Sequence, residues 1–196
     1  MAARSGMTTL INTVRGMTDA GSADYTAGTV TYWSDAEVER ILDRQRQDFY
    51  RAEASGQIEY IGGGTTQYKI YYLPPGLTNI EETTAGTSIF TIEDADGDKQ
   101  GTADWTMDYD RGVITFGADH GGTAYFCTGR TYNINAAASD IWTQKAANAA
   151  MGFDFTTDNH SVKRSQVVAQ YREMAQYYSS LSGPASIQMY REDYTW

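Results

Sequence analysis

One cysteine, Cys127, stands in 196 residues. That excludes an internal disulfide and a cysteine cluster for zinc, and leaves the thiol as a small buried apolar group in a strand. Histidine is almost as scarce. His120, in "GADHGGTAY", and His160, in "FDFTTDNHSVKRSQ", are the only two, and no "GxSxG", "HExxH" or "CxxC" pattern gives either one a hydrolytic or metal-binding role. No apolar run approaches the roughly 20 residues needed to cross a bilayer. "MAARSGMTTLINTVRG" lacks the apolar block and cleavage site of a signal peptide, so the expectation is a soluble protein made in the cytoplasm, with no membrane partner. Positive charge is in the minority too, with 15 Lys and Arg against 25 Asp and Glu. A protein that grips nucleic acid through its phosphates needs the opposite surplus. The deficit is concentrated between residues 57 and 133, where 11 Asp and Glu face 4 Lys and Arg.

What the chain does have is a change of hydrophobic period. Met7, Leu10, Ile11, Val14 and Met17 recur at helical spacing. Residues 16–33, rich in glycine and small polar side chains, read as a loop. Ser34 with Glu37 fits a capping box, and Val38, Ile41, Leu42, Phe49 and Ala52 predict a helix of about five turns that Gly56 ends. From Ile58 the period becomes two. "YKIYYL", "SIFTIED", "DWTMDYDRGVITF" and "TAYFCTGRTYNI" are β-branched and aromatic runs separated by Gly, Asp and Asn, the pattern of antiparallel strands. The hairpin in "DYDRGVITF" turns at Asp110, Arg111 and Gly112. "YIGGGTTQYK" is a wide turn or flexible tip, and "LPPG" marks an edge or loop. Helical spacing returns at Ala138, Ile141, Trp142, Ala146, Ala149, Ala150 and Phe153, and again at Val167, Val168, Tyr171, Met174, Ala175, Tyr178 and Leu181. Gly183 and Pro184 stop the last helix.

Helices on both sides of the β-block are too short to be stable alone and are expected to pack together. The fold class is therefore α+β: a small bundle of about four helices, residues 1–56 and 134–182, carrying an inserted antiparallel β-barrel or sandwich at 57–133 and an extended C-terminal arm at 183–196. "FDFTTDNHSVKRSQ" is the corner of a helical hairpin, with Ser161 capping a helix that starts at Val162. Lys163 and Arg164 then sit in the first turn, where the helix dipole disfavours cations, which points to an anionic partner: carboxylates of a neighbouring chain, or phosphate. "DADGD", residues 94–98, spaces its acids like a calcium loop but has Lys99 and Trp105 where the loop needs its glycine and final glutamate, so it reads as a polar hairpin turn. Tyr171, Tyr177 and Tyr178 fit either a binding stripe or helix-flank packing. No catalytic, metal or cofactor constellation emerges. The arm's Met189, Tyr190, Tyr194 and Trp196 lack the company to form a core of their own and suit burial on another subunit.

"WSDAEVERILDRQRQDFY", of the form aromatic, Ser/Thr, Asp, then amphipathic helix, and "AANAAMGFDFTTDNHSVKRSQVVAQYREMAQYYSSL", with its "FDF" and "RSQ" phrases joining two helices, resemble the head–tail connector (adaptor) proteins of long-tailed bacteriophages. "DWTMDYDRGVITF" is similar to β-modules of phage structural proteins; the long insertion departs from compact all-helical members. The resemblance implies a virion neck protein with no chemistry of its own, forming a ring, commonly of about twelve copies, beneath the portal. Its implied partners are the portal protein, neighbouring copies of itself, a tail-completion or tail-terminator protein, and double-stranded DNA passing without sequence-specific binding. An acidic bore suits such passage, because it repels phosphate. Two other classes stay open. A carbohydrate-binding or adhesin-type module would stack sugars on exposed tyrosines and Trp105, and a hydrolase would need two carboxylates of "IEDADGD" held in a cleft.

Overall fold

The computed structural model describes residues 3–21, 25–27, 30–84, 89–150, 155–157, 160–162 and 164–183, with backbone alone for 25–27, 30–32, 155–157, 160–162 and 164. Among these the fold is α+β, with four α-helices and an antiparallel six-stranded sheet curled like half a barrel. A 3-10 turn, Ser5–Met7, leads into α1, Thr8–Thr18, and its apolar stripe buries Met7, Leu10, Ile11 and Val14. The expected loop at 16–33 instead carries the last turn of α1 and a small antiparallel hairpin, β1 (Tyr25–Ala27) with β2 (Val30–Tyr32). The capping box forms as expected, the Ser34 N–H donating to Glu37 Oε2 at 3.3 Å, and opens α2, Asp35–Arg44.

The long helix expected through Ala52 stops at Arg44. Strand β3, Arg46–Gly62, takes over, because pairing with the later strand Tyr125–Tyr132 supplies a second core for Phe49 and Ala54; Phe49 reaches the same face as Ala54, five residues on, only through the bulge at Tyr50 and Arg51. The sheet runs β5–β8–β3–β4–β7–β6, where β4 is Thr65–Tyr72, β5 Thr91–Glu93, β6 Trp105–Asp108, β7 Val113–Phe116 and β8 Tyr125–Tyr132. The turn between β6 and β7 falls at residues 109–112, as the sequence indicated. The β3–β4 turn is tight, not wide: Gly62 pairs with Thr65 across Gly63 and Gly64, whose φ of +61° and +79° suit the two central positions of a type I′ turn. At "DADGD" the Asp94 carboxylate accepts the N–H groups of Asp96 and Asp98, the polar turn expected.

Helix α3, Ile134–Ala150, buries Ala137, Ala138, Ile141, Trp142 and Ala146 and packs on α1, α2 and α4 (Arg164–Leu181), which is why it lacks a clean polar face. The corner joining α3 to α4 holds a short hairpin, β9 (Phe155–Thr157) with β10 (His160–Val162). Ser161 lies in β10 and so does not cap α4, which starts at Arg164. Its place in the strand makes the corner a turn of sheet, where the sequence suggested a capping loop.

Two cores result. One gathers α1, α2, α3, Trp33 and Tyr132; the other fills the half-barrel with Tyr71, Phe90, Ile92, Ile114, Phe116, Tyr125 and Cys127. Each fully buried aliphatic or aromatic side chain contributes roughly 1.5–3 kcal/mol. Asn133 N donates to Gln45 O at 3.1 Å, so the chain leaves the helical part and returns to it through adjacent residues.

Burial pushes the Cys127 thiol up to about 12 and the Tyr71 phenol up to about 12, and also raises Tyr132. Groups raised in the folded state stabilise it fully below their unfolded values and lose that contribution as pH rises towards the folded ones. Thermal stability is therefore expected to hold to about pH 9, the ordinary thiol value of 9.0, and to fall steadily from there towards pH 12. A melting temperature that stays level to pH 11 would refute this.

Candidate interaction surfaces

The helical part and the half-barrel meet at a buried carboxylate. Glu81 is 0% exposed; its Oε2 accepts the Tyr132 hydroxyl at 2.6 Å and lies 3.5 Å from Arg130 Nη1, while its Oε1 lies 3.4 Å from Arg4 Nε. Arg4 also pairs with Glu39 at 2.6 Å and with Asp43 of α2. Next to it Glu82 N donates to Gly6 O at 3.1 Å, and Thr9 Oγ1 donates to the Glu82 carboxylate. Arg4, Glu39, Asp43, Glu81 and Arg130 are ion-paired with one another within the chain, and the cluster fixes the two parts together, although Arg4 Nε and Glu81 Oε1 make no well-formed hydrogen bond.

Beside this junction a cleft of about 470 Å³ is lined by the carboxamides of Gln45, Gln47, Asn79, Asn133 and Asn135, with Gly183 at its rim. Its amides serve largely to hold the chain. Asn133 Nδ2 donates to Ser182 O at 2.9 Å and Asn135 Nδ2 to Leu181 O at 3.4 Å, tying the end of α4 to the start of α3, and Gln45 Nε2 donates to Asp140. Gly183, the last described residue, therefore lies near the start of β3.

The opposite end of β3 is unfinished. Strand β8 begins at Tyr125, opposite Ala54, so from Ser55 onward β3 is paired with β4 alone. Residues 55–66 are exposed throughout. Gly56 lies against the rings of Tyr71 and Tyr68, which marks that face as the inner one; by alternation Ile58 and Tyr60 continue it into solvent, at 47% and 78% exposed, and Ile61 stands beside them at 55%. Nothing in the period-two reading of "IEYI" shows that its partner strands stop short, so the sequence missed these residues; "IEYIGGG" as an apolar run at a glycine tip was the available signal.

A second exposed aromatic comes from a bulge. Phe49 pairs with Gly129 and Ala52 with Cys127, so Tyr50 and Arg51 oppose one residue of β8. Arg51, at φ +47°, lies along the face away from the half-barrel core, paired with Glu93 (3.0 Å) and over the Phe126 ring (4.8 Å), and Tyr50 is left 79% exposed beside a shallow groove of about 490 Å³ lined by Asp48, Thr128 and Arg130. Trp105, expected as a sugar platform, is only 8% exposed and packs edge-on against Phe90, so it belongs to the core.

On α4, Ala175 is buried and Val168, Tyr171, Met174 and Tyr178 are half-buried on the α3 side, Tyr171 against Trp142 at 5.3 Å; Val167, Tyr177 and Leu181 face solvent. Tyr171 and Tyr178 thus take the packing role, and Tyr177 is left exposed. Arg164 opens α4, with its side chain outside the described residues. Lys163, Met189, Tyr190, Tyr194 and Trp196 all lie outside the described residues, as does Phe153. His120 Nδ1 meets the Tyr125 hydroxyl at 2.5 Å and its ring lies 4.2 Å from Phe116, flanking the half-barrel core. Among the described residues no three His, Cys, Asp or Glu side chains are grouped to hold a metal ion, and no helix is long and apolar enough to cross a membrane. Comparison with known proteins finds no match for the chain among family models, curated proteins or solved structures.

Proposed function

We propose that this chain is a structural subunit of a phage neck: a ring beneath the portal that joins the DNA-filled head to the tail and extends the DNA channel. The observation that carries the reading is the contrast between a junction ion-paired within the subunit and apolar surfaces left exposed. The ion cluster at Glu81 is matched within the subunit, whereas the β3–β4 hairpin and the outer face of α4 expose Ile58, Tyr60, Ile61, Val167, Tyr177 and Leu181. Monomers seldom leave such groups together in water, and repetition around a ring buries them. Residues 183–196 act in this reading as an arm laid on a neighbour or on the portal, with Lys163 and Arg164 facing acidic groups across the interface. A tail-completion or terminator protein docks on the far side of the ring, and its acidic charge, net −10, lets DNA slide past without being gripped.

Sedimentation with purified portal rings tests this. The expected result is a subunit that is monomeric or weakly associated alone and co-sediments as a ring with portal at micromolar concentration; a chain that ignores assembled portal would overturn the proposal. The saccharide-binding alternative keeps one observation in its favour, the exposed Tyr50 beside a groove holding Asp48 and Thr128. It expects glycan binding that Tyr50→Ala abolishes, with no response to portal.

A further inference from the structure

The free edge of β3 carries neither lysine nor proline, two of the features that usually protect an edge strand, and its pairing with β4 shifts register between Gln57 and Glu59 and between Tyr60 and Gly62. Within residues 55–61 Glu59 is the single charge, and it is engaged by Gln67 Nε2 at 2.6 Å across the hairpin. A two-stranded ribbon carrying exposed Ile58 and Tyr60 is marginal in water by itself and is completed by one more strand. We propose that this edge, residues 55–61, receives residues 187–196 of a neighbouring copy as an added β-strand. The inference rests on the reading of 183–196 as an intermolecular arm and names the surface on which that arm lies.

Three observations select this occupant. The segment "IQMYREDYTW" alternates in the manner of a strand, Ile187 and Met189 on one face, Tyr190, Tyr194 and Trp196 on the other. An added strand sets such faces against both faces of the ribbon: Ile187 and Met189 over Ile58 and Tyr60, the aromatics beside the half-exposed Tyr72. Reach excludes the chain's own arm in the register that sets Ile187 and Met189 over Ile58 and Tyr60. Gly183 and Gln45 line the same cleft, and from Gln45 the strand runs roughly 30 Å before it reaches Ser55 at about 3.3 Å per residue. Ile187 is four residues beyond Gly183, at most about 14 Å of extended chain. In that register it falls short of its own Ile58, roughly 40 Å along the strand from Gln45, and a neighbouring subunit has no such constraint.

A fluorescein-labelled synthetic peptide of residues 184–196 titrated with the full chain, followed by anisotropy, tests the assignment together with hydrogen exchange of the full chain with and without unlabelled peptide. Saturable binding is expected, absent for a scrambled peptide, with slowed exchange centred on residues 55–61. The variant Ile58→Lys/Tyr60→Lys should weaken binding about tenfold or more while its thermal unfolding changes little, since Tyr60 is largely and Ile58 about half exposed. Binding that the double variant leaves intact, or protection that appears at the cleft around Asn133 instead, overturns the β3 assignment and leaves the arm reading standing. If the peptide ignores the full chain while truncation after Ser182 weakens attachment to portal, the arm's seat is the portal and the assignment fails. No binding together with a neutral truncation overturns both.

Discussion

Glu81→Ala is expected to destabilise the protein by about 3–4 kcal/mol, the cost of opening a buried ion cluster from one side. The alanine leaves the Tyr132 hydroxyl without its acceptor and removes the counter-charge shared by Arg4 and Arg130. Each guanidinium is about one-third exposed, 34% in both cases, and can turn part-way to water, which holds the cost near the lower end of that range. For a chain of this size the melting temperature should fall by about 6–12 °C. Glu81→Gln keeps an acceptor for Tyr132 and removes the charge, so it should cost about half as much; the difference between the two separates the hydrogen bond from the ion pairs. A Glu81→Ala protein that melts within 2 °C of the parent, about 0.5–1 kcal/mol, would show that the junction is held by packing alone.

Gly6→Ala is expected to cost about 2–3 kcal/mol, an effect out of proportion to one methyl group. A Cβ at Gly6 would overlap the carbonyl oxygen of Glu82, a backbone atom held in place because Glu82 N donates to Gly6 O and Glu81 N donates to Arg130 O. The added carbon cannot be met by rotating a side chain, so the 3-10 turn must lift from the 81–84 segment and take the Thr9 to Glu82 and Ser5 to Thr84 bonds with it. Urea unfolding followed at the far-ultraviolet helix signal and at tyrosine fluorescence provides the check. Loss of coincidence between the two transitions is the expected signature, since the helical part and the half-barrel then unfold less as one unit. A fully stable, coincident transition would mean that the turn shifts without cost.

Much of the fold could be read from the residues because its local signals agree with its tertiary ones. The capping box at Ser34 and Glu37, the period-two runs and the turn before Val113 all state locally what the chain does globally. The missed boundary at Arg44 has the opposite character. "DRQRQDFYRAE" satisfies helical spacing through Phe49 and Ala52, and the deciding fact, that β8 arrives alongside residues 46–54, comes from the far end of the inserted module. Glu81 was silent for the same reason: its partners, Arg4, Arg130 and Tyr132, are spread over most of the chain, and a glutamate in "NIEETT" carries no mark of burial. The exposed hairpin was invisible for a third reason, since an apolar alternating strand reads the same whether its neighbours run its whole length or stop half-way. The arm, by contrast, was conspicuous in sequence as an extended aromatic segment, though it lies outside the described residues.

The single hydrogen bond from Asn133 to Gln45 has an evolutionary meaning. Because the half-barrel leaves and rejoins the helical part at two neighbouring points, exchange of one β-module for another of different size would leave the α1–α2–α3 packing in place, provided the seam contacts of Tyr132, Glu81, Glu82 and Thr84 were kept. A helical frame of this design can hold to one assembly geometry while its appended module diverges with whatever it must meet, so the seam around Arg4, Glu81 and Tyr132 is where the histories of the two halves have to stay in step.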